Sequence, residues 1–344
     1  MDYVLIWSFL IPLALLIYMI FDGFDLGVGI LFPFAKNEEE RSLMMGSIAP
    51  VWDSNETWLI LAGGGLYALF PKAYAFIFPV LYGPVILMLL CLAFRGVAFE
   101  FRARASKSKI LWNWSFFIGS FGSAYFQGVI AGSLLWGFQA DDNGNFIGSL
   151  TDWFSPFPLL MGVGVVLGYS LLGATFLVYK LDDNSHFIKI TRRLGKLLFL
   201  GFIVSCAIYI YAIAEEYNFP FVQFPMKAHI LGVVHDAVVP ITFGLIVVFS
   251  LFVQLLLSVR KDRLVHDIRP FLFLSGLMSI IFVIGTALVW PYAVPGVYDI
   301  WEAASSDKTL QFVLVGSLIF LPLILAYSAY NFWVFRGKVN SSGY

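Results

Sequence analysis

Asp22 and Asp25 stand three residues apart in an otherwise uncharged, predominantly apolar run from Tyr3 to Phe34, within Phe21-Asp22-Gly23-Phe24-Asp25-Leu26-Gly27-Val28-Gly29. That spacing puts both carboxylates on one face of a helix. Ionisable groups inside a membrane span cost at least ~2.5–3.5 kcal/mol each on insertion scales, so they face a bundle interior, a partner or a wet cavity. Two neighbouring carboxylates in low dielectric favour sharing a proton. Ion or proton traffic is the functional expectation; capping of backbone or pairing with a neighbouring helix is the structural alternative. A second polar group lies in Ile48-Ala49-Pro50-Val51-Trp52-Asp53-Ser54-Asn55-Glu56-Thr57-Trp58. An interfacial aromatic belt accounts for its tryptophans, but not for Asp53, Asn55 and Glu56 leading into an apolar stretch. Glu100 closes the following apolar run in Phe94-Arg95-Gly96-Val97-Ala98-Phe99-Glu100-Phe101-Arg102. There an interfacial salt bridge to Arg95 or Arg102 is the structural alternative to a relay.

Other chemistries find less support. His186 and His266 fall in predicted links, and His229 and His235 are six residues apart and share no helical face, so no axial pair for haem is expected. His235-Asp236 reads as a helix-to-helix hydrogen bond. Cys91 and Cys206 both lie in apolar runs and form neither a metal pattern nor a disulfide framework. Gly63-Gly64-Gly65 is followed by no Lys-Ser/Thr pair, so it is no phosphate loop. Gly23/Gly27, Gly128/Gly132 and Gly164/Gly168 have the spacing that lets membrane helices approach closely.

The elements that must hold these residues are membrane helices. Apolar residues make up 60% of the 344-residue chain and charged residues 12%, a balance no soluble domain of this size can bury. The 21 basic and 22 acidic residues nearly cancel, and no basic aromatic groove suggests nucleic acid. With no basic n-region or small-residue cleavage site, the first apolar run is expected to remain in the mature protein. At ~20 apolar residues per crossing, spans are predicted near 3–34, 75–99, 112–138, 156–179, 195–215, 230–258, 270–292 and 311–335. The expected fold is all-α: eight crossings as two four-helix bundles, 1–180 carrying the acidic motifs and 181–344 following as a plausible parallel duplicate. Between the first two spans, Thr57 to Phe70 is expected to be re-entrant or interfacial. This arrangement gathers sixteen of the 21 Lys and Arg on one side, leaving Lys36, Arg41, Lys72, Lys227 and Lys308 opposite. The positive-inside rule then places both termini in the cytoplasm. Counted from Tyr3 at ~1.5 Å per residue, Asp22 and Asp25 come out toward the outer side and Glu100 at the cytoplasmic end, a separation that a proton route would have to bridge.

The motifs around Asp22/Asp25, Asp53 and Glu100 resemble subunit II of the cytochrome bd-type quinol oxidases, including the cyanide-insensitive branch. Further similarity lies in Trp112-Asn113-Trp114, Gly119-Ser120-Phe121, Pro291-Tyr292 and Trp301-Glu302-Ala303-Ala304-Ser305-Ser306. The resemblance implies a bacterial inner-membrane chain that holds no metal itself and carries no catalytic residue. Its partner would be a larger subunit I bearing b-type and d-type haems, where quinol is oxidised and oxygen reduced to water. It also implies that the acids matching Asp22, Asp25, Asp53 and Glu100 line a hydrophilic path toward the haem site. Glu100 replaces the aspartate of some members. A structural quinone is associated with this subunit in some members, and the resemblance leaves room for a small single-helix accessory subunit and bound lipid. A secondary transporter is the competing class, since duplicated bundles with intramembrane acids suit alternating access.

Overall fold

The computed structural model describes residues 2–141, 144–181, 186–191, 193–197 and 268–339. Cys206, His229, His235, Asp236, His266 and most of the expected spans at 195–215 and 230–258 lie outside the described residues.

Asp2 starts the first helix, α1 (Tyr3–Leu31), by accepting hydrogen bonds from the amides of Val4 and Leu5, which satisfies donors that the first turn leaves free. A 3-10 turn at Phe32–Phe34 ends the run. Asn37 then caps α2 (Glu38–Ile48), and α3 follows at Trp52–Leu69. Pro71 has no backbone N–H to give to a continuing helix; the chain bends by 120° there into α4 (Pro71–Val80). The remaining elements are α5 (Tyr82–Arg104), α6 (Lys109–Trp136), α7 (Pro156–Lys180), α8 (Arg269–Val289), a two-stranded ribbon of β1 (Tyr292–Val294) and β2 (Tyr298–Asp299), α9 (Ile300–Ala303) and α10 (Asp307–Val334). Five stretches, at α1, α5, α7, α8 and α10, are each long and apolar enough to cross a membrane unaided, and the bent pair α3–α4 passes the same test jointly.

Packing partners order these helices along α1. Antiparallel to it lies α3, with Asn55 at Asp25, Trp58 beside Tyr18 and Gly65 facing Ile11. Helix α5 runs parallel, bringing Arg95 to Asp22 and the Arg102 guanidinium over the ring of Phe32. Returning antiparallel, α6 sets Phe116 against Phe32 and Gln127 against Tyr18. Helix α7 is parallel again and closest: a Cβ added at Gly27 would stand 1.9 Å from the Tyr169 carbonyl oxygen, and one at Gly173 2.4 Å from the Gly27 carbonyl carbon. Only glycine permits that crossing. Gly128 of α6 meets Gly162 of α7 in the same way, whereas Gly164 faces open space. Helix α8 descends from Phe271, against Phe24, to Trp290, stacked on Phe9. Helix α10 rises from Leu310, whose carbonyl accepts the Trp7 indole N–H, to Phe332 beside Phe21 and Phe24.

Seven described helices thus lie lengthwise, with one apolar cluster at the Phe34 end (Phe24, Phe116, Leu171, Phe176) and another at the Tyr3 end (Trp7, Leu69, Phe76, Val294, Leu310). Two expectations change. The segment expected to be re-entrant or interfacial is part of an 18-residue helix that follows α1 from Asp25 past Ile11. Its first turns are polar, so apolar length alone understated it. Adding this lengthwise pass separates the chain ends: Asp2 meets Trp301 at one end of the bundle, and Val339 meets Lys180 at the other. Asp22 and Asp25 consequently share the end of Arg102 and Glu100, removing the separation that the sequence suggested.

At the Phe34 end the chain after α10 is clasped to the end of α7. The buried Lys180 ammonium donates to the Phe335 and Gly337 carbonyls, Lys338 donates to the Leu181 carbonyl, the Tyr179 hydroxyl to that of Arg336, and the Val339 amide to that of Lys180. Lys180, the residue at which a division was expected, is itself part of this clasp.

Candidate proton site and its relatives

The acid pair is held where four helices meet. Asp22 is fully buried and its Oδ1 lies 2.6 Å from Nη2 of Arg95, itself fully buried. Asp25, one turn later and equally buried, accepts a 2.8 Å hydrogen bond from the Asn55 amide on Oδ2, and the same amide also reaches the Phe21 carbonyl at 3.3 Å. Arg95 lies over the Trp52 ring at 5.7 Å, and Trp52 stacks flat on Phe99 with centroids 4.8 Å apart. One turn toward the Tyr3 end, the Tyr169 hydroxyl donates to the Gln127 carbonyl oxygen at 3.0 Å, and the Gln127 amide donates to the Tyr18 oxygen at 2.7 Å.

One guanidinium therefore faces two buried carboxyl groups, with a third, Glu56, in electrostatic range of Arg95 and Asp22. Asp22 Oδ2, Asp25 Oδ1 and Arg95 Nε and Nη1 have no hydrogen-bond partner among the described residues. Buried polar atoms of this kind are rare and costly.

The four acids named from the sequence divide into two places. Asp22 and Asp25 come together. Asp53, in the first turn of α3, and Glu100, near the end of α5, are both exposed on this chain, and each is the neighbour of one ring of the Trp52–Phe99 stack. Glu100 pairs with Arg104 at 3.6 Å, and not with Arg95 or Arg102. Arg102 instead joins Glu38 at 2.9 Å and Asn113 at 2.6 Å. Burial would raise the Glu38 carboxyl, but its hydrogen bond from Arg41 and the charge of Arg102 hold it below the usual glutamate range. Sequence reasoning missed Arg95 as the counter-ion and missed Tyr18, Gln127 and Tyr169 altogether. The available signal was the place of Arg95 inside the Tyr82–Arg104 apolar run, two turns before its end.

The described residues hold no group of three or more His, Cys, Asp or Glu that fits a metal ion. The ring of His186, the one described histidine, meets the Phe34 carbonyl at 2.8 Å.

The sequence matches the family described as cytochrome bd terminal oxidase subunit II over residues 3–335. The chain belongs to this family. Cytochrome bd-I ubiquinol oxidase subunit 2 of Escherichia coli K12 is 31% identical, covering 97% of this chain and 94% of that one. Cytochrome bd ubiquinol oxidase subunit 2 of Bacillus subtilis is 26% identical, covering 97% and 96%. In fold, the chain resembles one from the bd oxidase of Geobacillus thermodenitrificans, with a TM-score of 0.63 at 15% identity over 97% of this chain and 98% of that chain. As a cytochrome bd subunit II, the protein is a multi-pass membrane component of a quinol-oxidising oxidoreductase complex, and family membership implies a subunit I partner that carries the haems. The transporter class has no support among these relatives.

Proposed function

We propose that this chain supports assembly of the oxidase and delivers protons from the basic end of its bundle toward the haem site of subunit I, through Asp22 and Asp25 with Asp53 and Glu100 on the approach. The observation that carries this is the fully buried Asp22–Arg95 pair beside Asp25 and Asn55, in a family whose activity consumes protons. Haem on the partner supplies the redox chemistry when the complex is assembled; residues of this chain bind, orient and exchange protons only. Asp53 and Glu100, exposed here, flank the Trp52–Phe99 stack that covers the guanidinium, and a route through them converges on the acid pair from one side.

Orientation follows from charge. Of the sixteen described Lys and Arg, Lys72 and Lys308 lie at the Tyr3 end and the other fourteen at or near the Phe34 end. Lys36 and Arg41 now join the majority, because α2 is tied to α5 through Glu38 and Arg102. This sharper asymmetry supports a cytoplasmic Phe34 end and an external Tyr3 end, so the acids lie near the side from which protons are drawn. The termini are then on opposite sides, and α3 is counted as a crossing in its own right.

Asp25→Asn in the assembled oxidase tests the proposal. Quinol oxidation should fall at least about tenfold if proton entry becomes limiting, each ~1.4 kcal/mol of added barrier being a factor of ten, while haem content stays normal. Full turnover across a pH series would remove the pair from any obligatory path.

A further inference from the structure

We propose that Glu56 is the group through which protons enter and leave the buried Asp22/Asp25 pair. This rests on the proton-delivery proposal above and adds to it the doorway.

The polar side chains around the pair are few. Arg95 and Ser120 are fully buried, Asn55 is 1% exposed and Tyr18 3%. Arg95 stays charged at any working pH, and Asn55 and Gln127 carry no exchangeable acid proton. Direct access along α1 from the basic end is closed by Leu26, Val28, Leu31 and Phe32, all nearly or fully buried, with Phe116 and Ala98 packed across them. Toward the Tyr3 end, Tyr18 is followed by the Gln127 amide, which conducts protons poorly because it must change tautomer to pass one.

Among the described residues around the pair, Glu56 combines partial exposure with a carboxyl group. It follows Asn55, whose amide is on Asp25, and lies one helical turn beyond exposed Asp53 on α3. Its charge is within range of Arg95, Asp22 and Asp53, and Asp25 in turn senses it. Trp52, one turn before Glu56 on α3, covers Arg95, while Glu56 itself is only partly buried. A proton taken from Asp53 or from water at the surface is held on the Glu56 carboxyl and then passed inward to Asp25 as Glu56 regains its charge.

The test is steady-state quinol oxidation by the assembled oxidase carrying Glu56→Gln, with Glu56→Asp and Asp25→Asn alongside. Expected are an at least tenfold loss in Glu56→Gln with haem content and quinol KM unchanged, a larger solvent deuterium isotope effect, and partial retention in Glu56→Asp with a displaced pH profile. Should Glu56→Gln fail to assemble, the Glu56→Asp pH profile decides, and a wild-type profile overturns the proposal. Equal losses in Gln and Asp variants with full haem content would show a packing role and also overturn it. If Asp25→Asn slows turnover and Glu56→Gln does not, only the doorway is wrong; if Asp25→Asn is also at full speed, the delivery proposal itself fails.

Discussion

Arg95 compensates Asp22 with no water-exposed surface on either side chain, so the two residues cannot be read as independent contributions. Removing one partner of a buried pair leaves an uncompensated charge and typically costs ~3–5 kcal/mol, whereas replacing both can be nearly neutral. Arg95→Met should therefore lower the thermal stability and yield of the complex sharply. The double variant Asp22→Asn/Arg95→Met should recover most of that loss; equal instability of single and double variants would argue against the pair as the cause. The acid half of this site was legible in sequence, because a carboxylate in an apolar run is conspicuous. The basic half was not. An arginine in the second half of a hydrophobic run has the same signature as one that reaches its charge to the membrane surface, and only the tertiary position of α1 decides between these.

Helix α3 was hidden by its own polar residues. Asp53, Asn55 and Glu56 occupy its first turns and dilute the apolar signal, so a helix that passes most of α1 looked like a fragment. The polar Ser and Gln positions of α6 had no such cost to recognition, since its 28 residues exceed a span in length. The α1–α7 crossing gives a sharp prediction at this scale. With a Gly27 Cβ placed 1.9 Å from the Tyr169 oxygen, Gly27→Ala must push the helices apart and should cost about 1–3 kcal/mol, as overpacking does. Gly164→Ala in the same bundle meets nothing within 4 Å and should be neutral or stabilising by up to ~1 kcal/mol. Thermal denaturation of the two variants compares them directly. Helix α2 offers a pH test. The Glu38 carboxyl is held below its usual range, so its contribution is complete above that range and is lost as pH falls through the lowered value. Amide exchange over residues 40–48, corrected for intrinsic rate, should rise on acidification in the wild type and show a weaker pH dependence in Glu38→Gln.

For the molecule as a whole, opposite chain ends make a topological prediction. In cells, single cysteines at Asp2 and at Lys338, in a background without Cys91 and Cys206, should differ in labelling by an impermeant thiol reagent applied from outside. The first should react and the second should not; labelling of both or neither would restore an even number of crossings. Reading α3 as a lengthwise helix brings Asp22 and Asp25 to the same end of the bundle as Arg102, which shows how one helix underrated by hydropathy alters the apparent position of distant residues. The clasp at the basic end bears on biogenesis. Lys180 is synthesised some 150 residues before Phe335 and Gly337, whose carbonyls receive its ammonium. During translation the finished α7 thus carries a cation whose acceptors have not yet been made, and the last helix to be threaded supplies them. A chain stopped at Val334 lacks these acceptors and should be cleared by membrane proteolysis although every described lengthwise helix is present.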